Sequence, residues 1–281
     1  MWNWISEPYS LDFMQQALVI GLLVGISSAV LSCFLILKGW SLMGDAVSHA
    51  VLPGVVLAYL ANIPILVGAF ATGMFCAVAS GYLSANSRLK EDTVMGVVFS
   101  GLFALGVFMF SKAQPGFDIH DILFGDMLGV IWSDVALAAL VLLPAFLLLM
   151  IFQRDLMVFA FDPEHATVVG LRVHTLHYGL LAVLSLVIVA SIKAVGIILV
   201  IAVLIAPGAI SYLLVSRFEH MIWLSIPIAA VSTFIGVTAS YHLNSAPAPT
   251  VVVVLSLLFV LAFLLSPKNG LMRQSASKPA N

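Results

Sequence analysis

The sequence predicts an all-α, polytopic integral membrane protein with eight to nine transmembrane helices, and three observations carry that expectation. The first is composition: of 281 residues, 62% are hydrophobic and only 9% charged, where soluble domains carry about 25% charge. So few charges cannot cover the water-facing surface of a soluble protein of this length. The second is that seven stretches without a charged side chain, 13–37, 46–87, 93–111, 135–153, 173–192, 194–216 and 221–267, each reach the roughly 18 residues that mark a transmembrane helix. The third is the placement of Lys and Arg, which fall between those stretches and mostly on alternate sides.

Taken in order, the segment Met1 to Asp12 holds Glu7 and Asp12 but no Lys or Arg. A signal peptide opens with a positive region, so the whole chain is read as mature protein. The stretch 13–37 is the first span. Two stretches are double length and are divided by turn signals, Ala61-Asn62-Ile63-Pro64 in one and Asn244 to Pro249 in the other. Dividing both gives nine spans. The segment 38–64 contains Pro53 and reads as a short, broken or re-entrant helix, which leaves eight full spans as the other count. Positive loops remain in the cytoplasm. With nine spans and the N-terminus outside, Lys38, Arg88, Lys90, Arg154, Arg172, Arg217, Lys268, Arg273 and Lys278 face inward, against Lys112 and Lys193 outward. The expected topology in the cell (inner) membrane is therefore N-terminus out and C-terminus in. Residues 1–267 form one transmembrane domain and 268–281 a polar cytoplasmic tail.

The outer loop 112–134 is acidic, with Asp118, Asp121, Asp126 and Asp134 beside His120 and Lys112. It faces the side from which a cation would arrive, although charges usually lie in loops merely to meet water. The inner segment from Gln153 to Arg172 contains a short capped helix. Asp162 suits the N-cap, Pro163 the first helical position, and Gly170 the stop; Glu164, His165 and Ala166 lie between them. A short helix on the inner face suits docking to a soluble partner.

Ionisable groups inside a bilayer are costly and mark ion or substrate pathways by default. Asp45 and His49 stand four residues apart, one turn above the other on one helix face, with Ser48 beside them. A carboxylate with an imidazole makes a half-site for a divalent cation, and no thiolate is present to select zinc or Cu(I). Gly44 before the pair and Pro53-Gly54 after it make the helix locally irregular, which a membrane tolerates only where backbone lines a cavity or is buried in protein. The bland reading is a capping carboxylate satisfied by its histidine. His174, His177 and His242 read as interface residues, Cys33 and Cys76 as inert packing, and Pro207 as a kink or hinge. Gly25, Gly73, Gly96, Gly101 and Gly106 allow close helix contact.

The run from Lys38 to Val55, with Gly44-Asp45-Ala46-Val47-Ser48-His49-Ala50-Val51-Leu52-Pro53-Gly54 at its centre, resembles the signature of the permease subunits of ABC importers for manganese, zinc and iron. The resemblance continues through Asp118 to Gly129, Phe161 to Gly170, Val195 to Ala202 with Pro207, and Pro267-Lys268, so it covers nearly the whole chain. It implies a type II-like ABC importer permease fold. It also implies a second permease copy, identical or related, two cytoplasmic ABC ATPase subunits, and an extracytoplasmic solute-binding protein that delivers the metal. Asp45 and His49 match the metal pathway of such permeases, and 162–170 their coupling helix. The Ser-His-Ala-Val-Leu-Pro-Gly form is more similar to the manganese and iron branch than to the zinc branch. No permanently bound cofactor is expected, the metal (Mn2+, Fe2+ or Zn2+) being cargo. From the residues alone, the rival readings are a self-powered, proton-coupled secondary cation transporter that uses Asp45 and His49 as a relay, and an intramembrane metalloenzyme, which needs a third ligand. The sequence has no P-loop, no H-E-x-x-H and no G-x-S-x-G, and no basic patch for nucleic acid.

Overall fold

The charge-free stretches all become helix in the structure, a computed structural model that describes residues 7–113 and 125–266. The expectations for Asp118, His120 and Asp121 and for the tail after 267 lie outside the described residues. Helix α1 spans Asp12–Lys38, α2 Met43–Ala50, α3 Leu52–Leu60, α4 Ile65–Asn86 and α5 Glu91–Ala113. Then come α6 Trp132–Ile151, α7 Gln153–Phe161, α8 Pro163–Val168, α9 Val173–Leu214, α10 Phe218–Leu243 and α11 Pro247–Leu265. Helix is the outcome because lipid offers backbone amides no partner, and only an α-helix satisfies them within one segment. Among the described residues eight helical segments are long and apolar enough to cross a membrane, with α2 and α3 together making one of them. The turns fall where the sequence marks them, between Leu60 and Ile65 and between Leu243 and Pro247.

Side-chain contacts sort the helix ends into two sets. At the Asp12 end, Tyr9 and Thr238 share a hydrogen bond of 2.6 Å, and Lys193 pairs with Asp134 at 2.7 Å. Gly125 there abuts the backbone of Val195 and Gly196. At the Lys38 end, the Lys38 ammonium sits 4.3 Å from the Phe159 ring centre. His177 lies edge-on to Trp40 at 5.2 Å, and Phe218 meets both Phe34 and Phe161. Ser266 donates to the Leu213 carbonyl at 2.9 Å.

This sorting resolves α9. As one straight rod its 42 residues would run about 63 Å, twice the roughly 30 Å hydrocarbon core. Its beginning, at His177, and its end, at Leu213, both belong to the Lys38 end, while Lys193 to Gly196 belong to the Asp12 end. The chain therefore crosses, reverses and returns. The reversal is at Gly196, whose φ of 76° and ψ of 166° are non-helical, a region open essentially to glycine alone. Two arms, 173–195 and 197–214, thus replace the two spans that the sequence divides at Lys193, and the described chain makes nine crossings. Pro207, the expected kink, lies within the returning arm, and the backbone of α9 departs from helical dihedrals at Gly196. A proline removes one hydrogen bond and bends a helix, whereas only the glycine permits the sharp reversal.

The core forms around α1, with both arms of α9 and with α10 packed against it. Phe34, Leu31, Leu35, Leu181 and Leu184 are fully buried there. The outer faces of α5, α6 and α11 remain apolar and exposed, as at Leu140 (71%) and Leu261 (52%), which suits lipid as solvent. Within that setting, α2 and α3 are enclosed between α4, α5 and α9.

A candidate metal site in a broken helix

The short helices α2 and α3 are one apolar segment interrupted at Val51. Pro53 causes the break, because it has no N–H to donate to the His49 carbonyl and its ring crowds that carbonyl. The Val51 N–H turns back to the His49 carbonyl, while the Val51 carbonyl accepts from the Val55 N–H at 3.1 Å. The Thr72 hydroxyl of α4 approaches that carbonyl at 3.3 Å, sharing its one proton with the Gly68 and Ala69 carbonyls of its own helix at 3.1 and 3.2 Å. Gly54 and Gly68 make this possible: a Cβ on Gly54 would fall on the Gly68 carbonyl and the Thr72 hydroxyl, and one on Gly68 on the Gly54 carbonyl. Two backbones meet with nothing between them.

Asp45 and His49 lie on α2, and their side chains converge as their spacing predicts. His49 Nε2 is 3.3 Å from Asp45 Oδ1, and the two side chains remain 27% and 35% exposed. The imidazole is fixed from behind by α5, where Phe99 stacks at 6.1 Å and Phe103 stands edge-on at 5.2 Å. His49 Nδ1 is buried without a hydrogen-bond partner. Shape therefore orients this ring, with Nε2 and the carboxylate open on the same side. With metal–ligand bonds of about 2.1 Å, two adjacent donors stand about 3.0 Å apart in an octahedron and about 3.4 Å apart in a tetrahedron. The observed separation suits an edge of either. Among the described residues, no group of three or more His, Cys, Asp or Glu forms. Asp45 and His49 thus present two donors on one helix face.

The supporting residues are placed as follows. Gly44 lets α2 press on the returning arm of α9, where a Cβ would come within 3.1 Å of Leu204. Ser48 is buried, and its hydroxyl donates to the Gly44 carbonyl at 2.7 Å, so it is satisfied inside its own helix. Pro53 lies against Gly106 of α5. Cys33 and Cys76 are free and buried. His177 packs among Trp40, Phe159 and Tyr178.

At the Lys38 end, Asp162 caps α8, its Oδ1 accepting from the Glu164 and His165 amides at 3.0 and 2.9 Å. Pro163 opens the helix, Ala166 is buried beneath it, and Gly170 ends it at φ 89°. Phe161, Val168 and Val169 are 63, 84 and 60% exposed, an apolar surface at the two ends of this short helix. Helix α7 before it was not foreseen, because its Gln153-Arg154-Asp155 start reads as loop. Phe99 and Phe103 were also missed. Their i, i+4 spacing on a span was the available signal, but aromatic residues on a membrane helix ordinarily only pack.

The chain is similar to known membrane transport proteins over nearly its whole length. The chelated iron transport system membrane protein YfeD of Yersinia pestis is 48% identical over 264 residues, 94% of this chain and 89% of that protein. The manganese transport system membrane protein MntB of Synechocystis sp. is 45% identical over 277 residues, 99% of this chain and 90% of its own length. The solved structure of PsaBC from Streptococcus pneumoniae in complex with a Fab superposes with a TM-score of 0.86 at 35% identity, covering 97% of this chain and 99% of that one. Residues 10–266 match the family described as the ABC 3 transport family, so the broken helix, the reversal at Gly196 and the capped helix at Asp162 all fall inside one matched region, and the chain belongs to that family.

Proposed function

We propose that the chain is the permease subunit of an ATP-binding cassette importer that carries divalent metal cations, manganese or iron before zinc, across the cell membrane. The observation that carries this reading is the Asp45–His49 pair, open on one side at a helix break inside the membrane zone. It is supported by relatives named for manganese and iron transport. The metal is cargo, and a two-ligand half-site suits cargo, since an ion fully caged by protein does not leave. A second copy, presenting the same pair across the pathway, completes the sphere. An extracytoplasmic solute-binding protein delivers the ion, and cytoplasmic ABC ATPases dock on Asp162 to Gly170. The exposed Phe161, Val168 and Val169 give those ATPases an apolar contact. ATP-driven movement of this helix is passed to α9 and so to α2, which rests on Leu204.

The test is metal uptake by the assembled importer in proteoliposomes. Asp45→Ala and His49→Ala are each expected to lower manganese and iron uptake at least tenfold, the scale of one lost ligand, while assembly and ATP hydrolysis persist. Normal uptake in both variants would falsify the site. Uptake by the chain alone, driven by a proton gradient without ATPase, would instead establish the secondary transporter.

A further inference from the structure

Between the start of α10 and helix α7 lies a cavity of about 320 Å3, lined by Arg154, Met157, Phe218, Glu219, His220 and Trp223 among others. Nothing in the transport reading uses it. It sits at a boundary: above it the outer faces of α6 and α10 are apolar and exposed, with Leu147, Ile151 and Val231 at 55, 72 and 51%. Below it the chain turns to Arg154, Arg217 and Glu219. Trp223, 63% exposed, stands at the transition, where tryptophan favours the lipid headgroup layer.

The charges identify the occupant. Arg154 and Glu219 are both exposed on the cavity wall, yet they do not pair with each other. The Asp45–His49 and Asp134–Lys193 ion pairs lie elsewhere. Opposite charges that line one cavity without pairing match a ligand with opposite charges of its own. A bare anion would satisfy Arg154 and be repelled by Glu219, and a bare cation would do the reverse. We infer that the cavity binds the headgroup of an amine-bearing phospholipid, its phosphate on Arg154 and His220 and its ammonium on Glu219, with the glycerol end against Met157, Phe218 and Trp223. Phe218 also touches Phe161, so the lipid would lie beside the α8 surface.

The experiment uses the purified, delipidated permease and follows Trp fluorescence and melting temperature against short-chain phosphatidylethanolamine, phosphatidylglycerol and phosphatidylcholine, and against glycerophosphoethanolamine. The wild-type chain is expected to bind phosphatidylethanolamine about tenfold more tightly than phosphatidylglycerol, the scale of one charge-assisted hydrogen bond. Glu219→Gln should abolish that preference, Arg154→Gln should weaken both lipids, and Arg154→Lys should largely restore them. Equal binding of the two lipids by wild type, or a preference that survives Glu219→Gln, overturns the proposal. Glycerophosphoethanolamine binding as tightly as the lipid also overturns it, by assigning the cavity to a soluble phosphate ester. Should Glu219→Gln fail to fold, native mass spectrometry of the wild-type chain decides: a retained amine phospholipid supports the site and its absence rejects it.

Discussion

One imidazole in this chain is held without a hydrogen bond behind it. Metal-binding histidines ordinarily donate their second ring nitrogen to a carbonyl or carboxylate, but the buried Nδ1 of His49 has no such partner and two phenylalanines press on the ring instead. Packing, and not a hydrogen bond at Nδ1, thus sets the orientation of this ring. The break that sets this orientation depends on single atoms, and Gly54 is the most exacting position. A methyl group there lands on the Gly68 carbonyl, and backbone cannot move aside as a side-chain tip can. Gly54→Ala is expected to destabilise the chain by about 1–3 kcal/mol, the usual range for overpacking, read as a drop in melting temperature together with reduced metal uptake. Gly96→Ala, where no atom lies within 4 Å of the added carbon, is the control and should change neither. A neutral Gly54→Ala would mean that the two helices can separate freely. The Asp45–His49 pair itself was legible from spacing, because four residues on a helix fix a shared face. The aromatic wall was not, since nothing in one sequence says which span lies opposite.

Helices form here for two different physical reasons, and only one of them shows clearly in composition. A crossing helix is required by the absence of water, so an apolar stretch of sufficient length announces it, and α1, α4, α5, α6, α10 and α11 were all legible in that way. The short helices α7 and α8 at the Lys38 end are too short to be announced by an apolar stretch, so other signals must mark them. Helix α8 could be read because Asp162, Pro163 and Gly170 are each specific to a terminus, whereas α7 has no side-chain cap at its N-terminus and its sequence offered no such mark. Six residues form a marginal helix by propensity alone, so α8 relies on the two hydrogen bonds to Asp162. Asp162→Ala should cost about 1 kcal/mol of local stability and fray α8 without disturbing the crossings. If α8 is the ATPase contact, ATP hydrolysis by the assembled importer then continues while uptake falls several-fold, and Asp162→Asn, which retains a capping oxygen, recovers most of it. Unchanged coupling in Asp162→Ala would move the interface elsewhere.

For the whole molecule, the number of crossings decides the sidedness of everything else. An even number returns the C-terminus to the side of the N-terminus, and an odd number separates them. Composition divided residues 173–216 at Lys193 and reached nine crossings, but the reason for the reversal was illegible, because a glycine in an apolar run signals packing far more often than a turn. The contacts supply it: His177 and Leu213 lie at one end and Lys193 at the other, joined through Gly196. With nine crossings the positive-inside rule predicts that Lys38, Arg88, Lys90, Arg154, Arg172 and Arg217 face the cytoplasm and Lys112 and Lys193 the outside. The metal pair would then lie one short helix in from the cytoplasmic Lys38. Thiol labelling tests this arrangement cleanly, since Cys33 and Cys76 are both 0% exposed and stay silent towards a polar reagent. The Lys193 side chain is 79% exposed, and surface ion pairs contribute only about 0–1 kcal/mol, so Lys193→Cys should fold normally. A membrane-impermeant maleimide applied to intact right-side-out vesicles should label Lys193→Cys, and should label Arg172→Cys and Arg217→Cys only after the vesicles are opened. Should Lys193→Cys and Arg217→Cys react from the same side, the returning arm does not cross, the count falls to eight, and the delivery and docking faces assigned to this permease must be drawn again.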